Sequence, residues 1–209
     1  MRFDNESIER LREQIKAKLS EKRYIHTLGV ERLTRHLGKI LLPDKINELT
    51  AAALLHDIAK ELSFEEHVKL LKGSDVEYTE EDLSVKPALH SIAAIPLIDR
   101  DFGQFSTDEI RSTVAHHTLG APKMSVFDEI VFISDYAEDG RTYRACIEVR
   151  EYLLDNIKAE NSFDDNILAL HKASLMSIVS TVESLQKRGD QINSRTLETK
   201  RYFEDIINI

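Results

Sequence analysis

Apolar residues recur along this chain at helical steps. Ile8, Leu11, Ile15 and Leu19 follow one another at intervals of three and four after Asn5, a candidate cap, which predicts an amphipathic helix. A second helical pattern over residues 20–40 places Ile25, Leu28, Leu33, Leu37 and Ile40 on an inner side, and Pro43 stops it. From about residue 44 a third segment carries AAALLHDIAKEL, apolar enough to predict burial on most sides. Ser63 with Glu66 forms a capping-box pattern for a short helix through Leu71. Residues 73–86 are acidic and unpatterned and read as a loop. Pro87 then suits the first turn of a helix through Phe102. Ser106 with Glu109 opens another helix to His117, which Gly120 and Pro122 break. Ser125 caps VFDEIVFISDYAE, and two longer patterns cover 143–157 and 164–187. A turn at Gly189-Asp190 leads to a final helix near 195–206.

Composition agrees with this all-helical reading. In 209 residues there are only 7 glycines and 4 prolines, too few for the many tight turns of a sandwich or barrel. With 42% hydrophobic and 31% charged residues, an ordinary globule with a real core is expected. The expected fold class is all-α, a single helical bundle of about nine or ten helices. The net charge of −9 argues against broad binding to nucleic acid or to an anionic membrane, which needs a positive surface. A small anionic ligand remains compatible, because a local basic cleft can oppose the global sign. Cys146 is the one cysteine, so no disulfide forms within the chain and a reducing compartment fits. The opening MRFDNESIERLREQ has no apolar signal core, and no apolar run approaches the ~20 residues that span a bilayer. A cytoplasmic location is the expectation.

The candidate chemistry lies in the histidines and acids. His56 and Asp57 are adjacent inside the most apolar predicted helix, where an ionised carboxylate is costly unless paired or bound to a metal. A plain ion pair with Lys60 or an arginine explains that pair alone. The set is harder to explain that way. His26, His90, His117 and Asp135 each lie on a different predicted helix beside an apolar flank. Neutral imidazoles and carboxylates are ligands for Zn, Mn, Fe or Ni, and bundle interiors host such sites.

The ordered blocks RYIHTLGVERL, AALLHDIAKEL, PALHSIAA, HHTLGAPKMS and IVFISDYAEDGR resemble the HD superfamily of metal-dependent phosphohydrolases. Within it they are most similar to the YqeK family. The resemblance is strong over residues 23–141 and weaker in the C-terminal helices. It implies a single all-α HD domain over 1–209, with the metal-site core at about 20–145 and helices in 146–209 packing on it. It implies iron, as one or two ions, with manganese or another divalent metal as the alternative. It further implies symmetrical cleavage of diadenosine tetraphosphate into two ADP. The open alternatives are another HD-type nucleotide phosphohydrolase or a non-catalytic, metal-containing nucleotide sensor.

Carried over residue by residue, the resemblance makes His26, His56, Asp57 and Asp135 the core metal ligands. His90 and His117 fall near the substrate phosphates and a second metal, with Asp57, Lys60, His90 and His117 as the catalytic group. His116 is read as a neighbour, and His36, His67 and His171 as surface or boundary residues. Lys60 lies three residues after Asp57, and Arg23 three before His26, so each shares a helix face with its partner. With Arg141, which resembles a phosphate-contacting arginine, they supply local positive charge; each alone also reads as a surface ion pair. Tyr136 reads equally as a nucleotide contact or a buried aromatic. Thr118 and Met124 read as plain loop residues, and Cys146 as an apolar filler. QINSRTLETKRYF departs from the family pattern at Asn193 and Ser194, which puts nucleotide contacts there in doubt. The expected partner is a small nucleotide, with no nucleic acid and no membrane, and a homodimer is one open arrangement.

Overall fold

The computed structural model describes residues 3–208. Residues 1, 2 and 209, at the ends of the expected 1–209 domain, lie outside them. Among the described residues there are eleven α-helices, three short 3-10 turns and no strand. They are α1 (Asn5–Lys18), α2 (Glu21–Leu41), α3 (Ile46–Leu55), α4 (Phe64–Lys72), α5 (Glu80–Ser84), α6 (Leu89–Asp101), α7 (Asp108–His116), α8 (Val126–Ala137), α9 (Arg144–Asn156), α10 (Phe163–Arg188) and α11 (Ser194–Ile207). The all-α class stands, with one helix beyond the expected nine or ten. The addition is α5, in the stretch expected as loop. There Thr79 Oγ1 accepts the Asp82 N–H at 3.1 Å and Asp82 Oδ2 accepts the Thr79 N–H at 2.9 Å, a reciprocal cap that needs no apolar period.

Other caps differ by one residue from the sequence reading. Asp4, not Asn5, opens α1, its Oδ1 accepting the Ser7 N–H at 2.8 Å. Thr107, not Ser106, opens α7, and Ser106 instead donates its hydroxyl to Asp99. Along α2 the inner stripe is Val30, Leu33, Leu37 and Leu41, so Ile25 falls outside it at 59% exposure and Leu28 and Ile40 are half-buried.

The core forms where α2 packs on α3 and α8, and α8 on α7 and α10. Leu37, Leu49, Leu54, Leu55, Ile98, Ile130 and Ile133 are fully buried there. Each such burial contributes roughly 1.5–3 kcal/mol, enough to fix the helices that carry the polar cluster. A second cluster built on Met124, Phe132, Ile178 and Phe203 seats α10 and α11 against α8. Gly120 has φ 70°, and a Cβ there would lie 2.7 Å from Thr199 Cγ2, so a side chain would lift α11 from the turn after α7.

His56 and Asp57 do not lie inside α3. The helix ends at Leu55, and turn bonds take over, from Ile58 N–H to Leu55 O at 3.1 Å and Lys60 N–H to Asp57 O at 2.9 Å. His67, expected near the surface, is buried and braces this turn, its Nε2 lying 2.7 Å from Ala59 O. His171 is half-buried beside Glu129, at 2.9 Å, while His36 is exposed as expected.

Candidate metal centre

Six chemical groups from five places in the chain converge. His26 comes from α2, His56 and Asp57 from the turn after α3, His90 from α6, His117 from the end of α7 and Asp135 from α8. They form two triads. In one, ligand atoms of His26, His56 and Asp135 all lie within 4.8 Å of one another; in the other, those of Asp57, His90 and His117 do. Asp57 connects them. Its Oδ1 is 3.0 Å from His90 Nε2 and 3.5 Å from His117 Nε2, while its Oδ2 is 3.5 Å from His56 Nε2 and 3.7 Å from His26 Nε2.

The imidazole tautomers follow from the backbone. His56 Nδ1 lies 2.7 Å from Ala53 O, His90 Nδ1 3.0 Å from Pro87 O and His117 Nδ1 2.7 Å from Val114 O. Carbonyl oxygens only accept, so each Nδ1 carries the proton and each Nε2 turns a lone pair inward. His90 Nε2 and His117 Nε2 then face each other at 3.0 Å, with Asp57 Oδ1 beside them. Three lone-pair donors converging in a buried space repel unless a cation lies between them. His56 Nε2 and Asp57 Oδ1 are also buried without a hydrogen-bond partner, and His26 Nε2 lies 2.9 Å from Asp135 Oδ1. Unpaired buried polar atoms are expensive, and a metal ion satisfies all of them. The residues present therefore fit a divalent cation.

The surroundings tune these groups. Burial opposes ionisation of Asp57, and protons on the facing imidazoles of His56, His117 and His90 would hold its carboxyl well below the usual carboxylate range. Burial likewise opposes ionisation of Asp135, and His26 and His56 pull it down. Burial works against a proton on His26, but the carboxylates of Asp135 and Glu138 outweigh it and push the group up to about 9. Burial pushes His90 down to about 4 despite Asp57 beside it, and it also lowers Lys60.

Three cations frame the acids. Arg23 Nη1 donates to Asp57 Oδ2 at 2.6 Å, Arg141 Nη2 donates to Asp135 Oδ1 at 3.1 Å, and Lys60 Nζ lies 3.9 Å from Asp57 Oδ1. The triads open onto a cleft of about 550 Å³, lined by Lys60, His117, Asp135, Tyr136 and Arg141 on the near side. Its far wall is α10, with Ser180, Thr181, Ser184 and Arg188. His26, His56, Asp57, His90, His117 and Asp135, with Arg23, Lys60, Tyr136 and Arg141, thus lie in or beside one cleft. Met124, read as a plain loop residue, is buried in the second core cluster, and Cys146 is buried but also lines the cleft. His116 stays outside, beside Ser112 and Asp128.

Some participants escaped the sequence reading. Thr118, read as plain loop, places Oγ1 3.0 Å from His117 Nε2 and 3.2 Å from His90 Nε2. Glu138 was not singled out, yet its Oε1 is 3.1 Å from His26 Nδ1. The α10 wall left a readable signal: Ser180, Thr181 and Ser184 form a hydroxyl stripe at helical spacing. Asn193, Ser194 and Thr196 are used structurally. Asn193 caps α11, Ser194 donates to Glu81 at 2.5 Å, and Thr196 donates to Leu119 O at 3.3 Å.

An all-helical bundle with a His, His-Asp, His, His, Asp cluster at its heart defines a class. The HD domain model matches residues 23–139, and the chain belongs to the HD domain family. It is similar to the symmetrical bis(5'-nucleosyl)-tetraphosphatase of Bacillus subtilis, 27% identical over 190 residues, covering 90% of this chain and 93% of the relative. It is also similar to the protein of that name from Staphylococcus aureus, 24% identical over 205 residues, covering 95% and 100%. Among solved structures, a predicted HD superfamily hydrolase involved in NAD metabolism from Clostridium acetobutylicum superposes with a TM-score of 0.80 at 28% identity, covering 95% of this chain and 97% of that one. No helix among the described residues is long and apolar enough to cross a membrane.

Proposed function

We propose that this protein is a metal-dependent phosphohydrolase that cleaves diadenosine tetraphosphate symmetrically into two ADP. The observation that supports the reading is the convergence of two triads, His26, His56 and Asp135 beside Asp57, His90 and His117; in this reading His26, His56, Asp57 and Asp135 are the core metal ligands, and His90 and His117 complete a second position through Asp57. Iron is the metal assigned first, with manganese as the alternative, and the cytoplasm is the compartment assigned. A divalent ion held by these residues would polarise a phosphoryl oxygen and lower the pKa of a bound water toward ~7, so no serine or cysteine nucleophile is required.

The chain's own residues do the rest. Arg141 and Lys60 face the cleft and offer positive charge to a polyphosphate that the net charge of −9 would otherwise repel. Arg23, 26% exposed in its side chain, reaches Asp57 from the protein side and limits the cost of burying that carboxylate. Lys60 Nζ, 3.1 Å from His90 Nε2, is positioned to give a proton to the bridging oxygen that departs with one ADP. Tyr136 and the hydroxyl stripe of α10 form the wall available to nucleoside and ribose.

The test is incubation of the metal-loaded protein with diadenosine tetraphosphate. Two ADP per substrate are expected. AMP plus ATP rejects the symmetrical cut, and a well-folded native protein without metal rejects the hydrolase reading.

A further inference from the structure

Glu138 is buried immediately after α8, at 3% exposure, where an ionised carboxylate needs a reason. Its two oxygens are divided. Oε2 accepts the Gly140 N–H at 2.6 Å, and Oε1 lies 3.1 Å from His26 Nδ1. Space for this carboxylate exists because residue 29, one turn after His26 on α2, has no side chain: a Cβ on Gly29 would collide with Glu138 Oε2. The backbone is clamped as well, with Arg150 Nη1 donating to Glu138 O at 2.7 Å and to Ala137 O at 3.1 Å. Arg141 Nε stands 3.7 Å from Oε1, too far to take the oxygen from the imidazole.

His26 differs from the other three imidazoles of the cluster. Backbone carbonyls orient His56, His90 and His117, whereas a carboxylate orients His26. A carboxylate that accepts Nδ1–H fixes the tautomer, holds the ring plane and makes Nε2 a better electron donor.

We propose that Glu138 is a positioning residue of the metal centre, holding His26 with Nε2 turned toward His56 and Asp135. This rests on the metal-site reading above. It also assigns Gly29 a role: the vacancy over α2 that admits the Glu138 carboxylate.

The experiment is a titration of the full chain, stripped with chelator, with Mn(II), following the free ion by electron paramagnetic resonance. Glu138→Ala is expected to weaken Mn(II) affinity about 10–100-fold. Glu138→Gln, which keeps the accepting oxygen but loses the charge, is expected to fall between Glu138→Ala and the wild type. It is the deciding variant where Glu138→Ala does not fold. A role confined to the turn would lower the melting temperature of the metal-free chain and leave the affinity alone. Variants that bind Mn(II) within twofold of wild type overturn the role of Glu138 only. A wild-type chain that takes up no Mn(II) overturns the metal-site reading, and this inference with it.

Discussion

The Nε2 atoms of His90 and His117 face each other at 3.0 Å, each ring held from behind by a backbone carbonyl. With both protons committed to Nδ1, nothing in the pair can donate across the gap. The metal-free centre is therefore an electrostatic liability, and loading it stabilises the fold. At a metal concentration 100 times its Kd the gain is about 2.7 kcal/mol. For a chain of this size that is a rise in melting temperature of roughly 5–10 °C. Differential scanning calorimetry with and without chelator checks it, and an unchanged melting temperature rejects a built metal site.

Among the described residues, Asp57 is the one carboxylate that reaches both triads. Asp57→Ala removes the connection and leaves Arg23 without its carboxylate partner. Turnover of diadenosine tetraphosphate is expected to fall at least about 10²–10³-fold. Retained activity in a steady-state assay would show that the site lies elsewhere.

The proton on His26 makes metal uptake pH-dependent. Its folded-state pKa, about 9, stands above the ordinary 6.5, so its contribution to the metal-free fold is complete below pH 6.5 and is lost as pH rises through about 9. A metal ion must displace that proton. Affinity should climb with pH across the same window, by up to about tenfold per unit. Calorimetric titration near pH 7 in buffers of different ionisation enthalpy should report release of about one proton. No release would mean that His26 is not a ligand.

Arg188 lies across the cleft from the candidate metal ligands, on α10, with a side chain 57% exposed. If it holds an outlying phosphate, Arg188→Ala removes binding shared by the ground state and the transition state. KM is then expected to rise about tenfold with kcat little changed. A drop in kcat at constant KM would place Arg188 nearer the reacting atoms.

Phe203 is 1% exposed and joins α11 to the cluster of Met124, Phe132 and Ile178. Phe203→Ala should cost about 3–5 kcal/mol in urea unfolding. An effect below about 1 kcal/mol would mean that α11 is not a cooperative part of the fold.

Helical periodicity and scarce glycine are enough to predict an all-α chain, and the resemblance of the ordered His and Asp blocks to the HD superfamily picks out His26, His56, Asp57, His90, His117 and Asp135. Those signals are local: period follows from one helix packing on its neighbours, and ligand chemistry is written in residue type. Local signals could not place the end of α3 before His56, because an apolar run continues straight through it. Nor could they choose between Asp4 and Asn5 or between Thr107 and Ser106 as caps, since each pair offers two competent side chains in a row. Ile25 was misplaced because the buried stripe on α2 depends on where α3 and α8 lie.

Pairing across distance belonged to the tertiary structure alone. Glu138 meets His26 across 112 positions of chain, and Thr118 meets His90 across 28. The split of six candidate ligand side chains into two triads around Asp57 depends on which way each oxygen points. A sequence states what each side chain can donate or accept. Only packing decides which lone pairs are left facing one another.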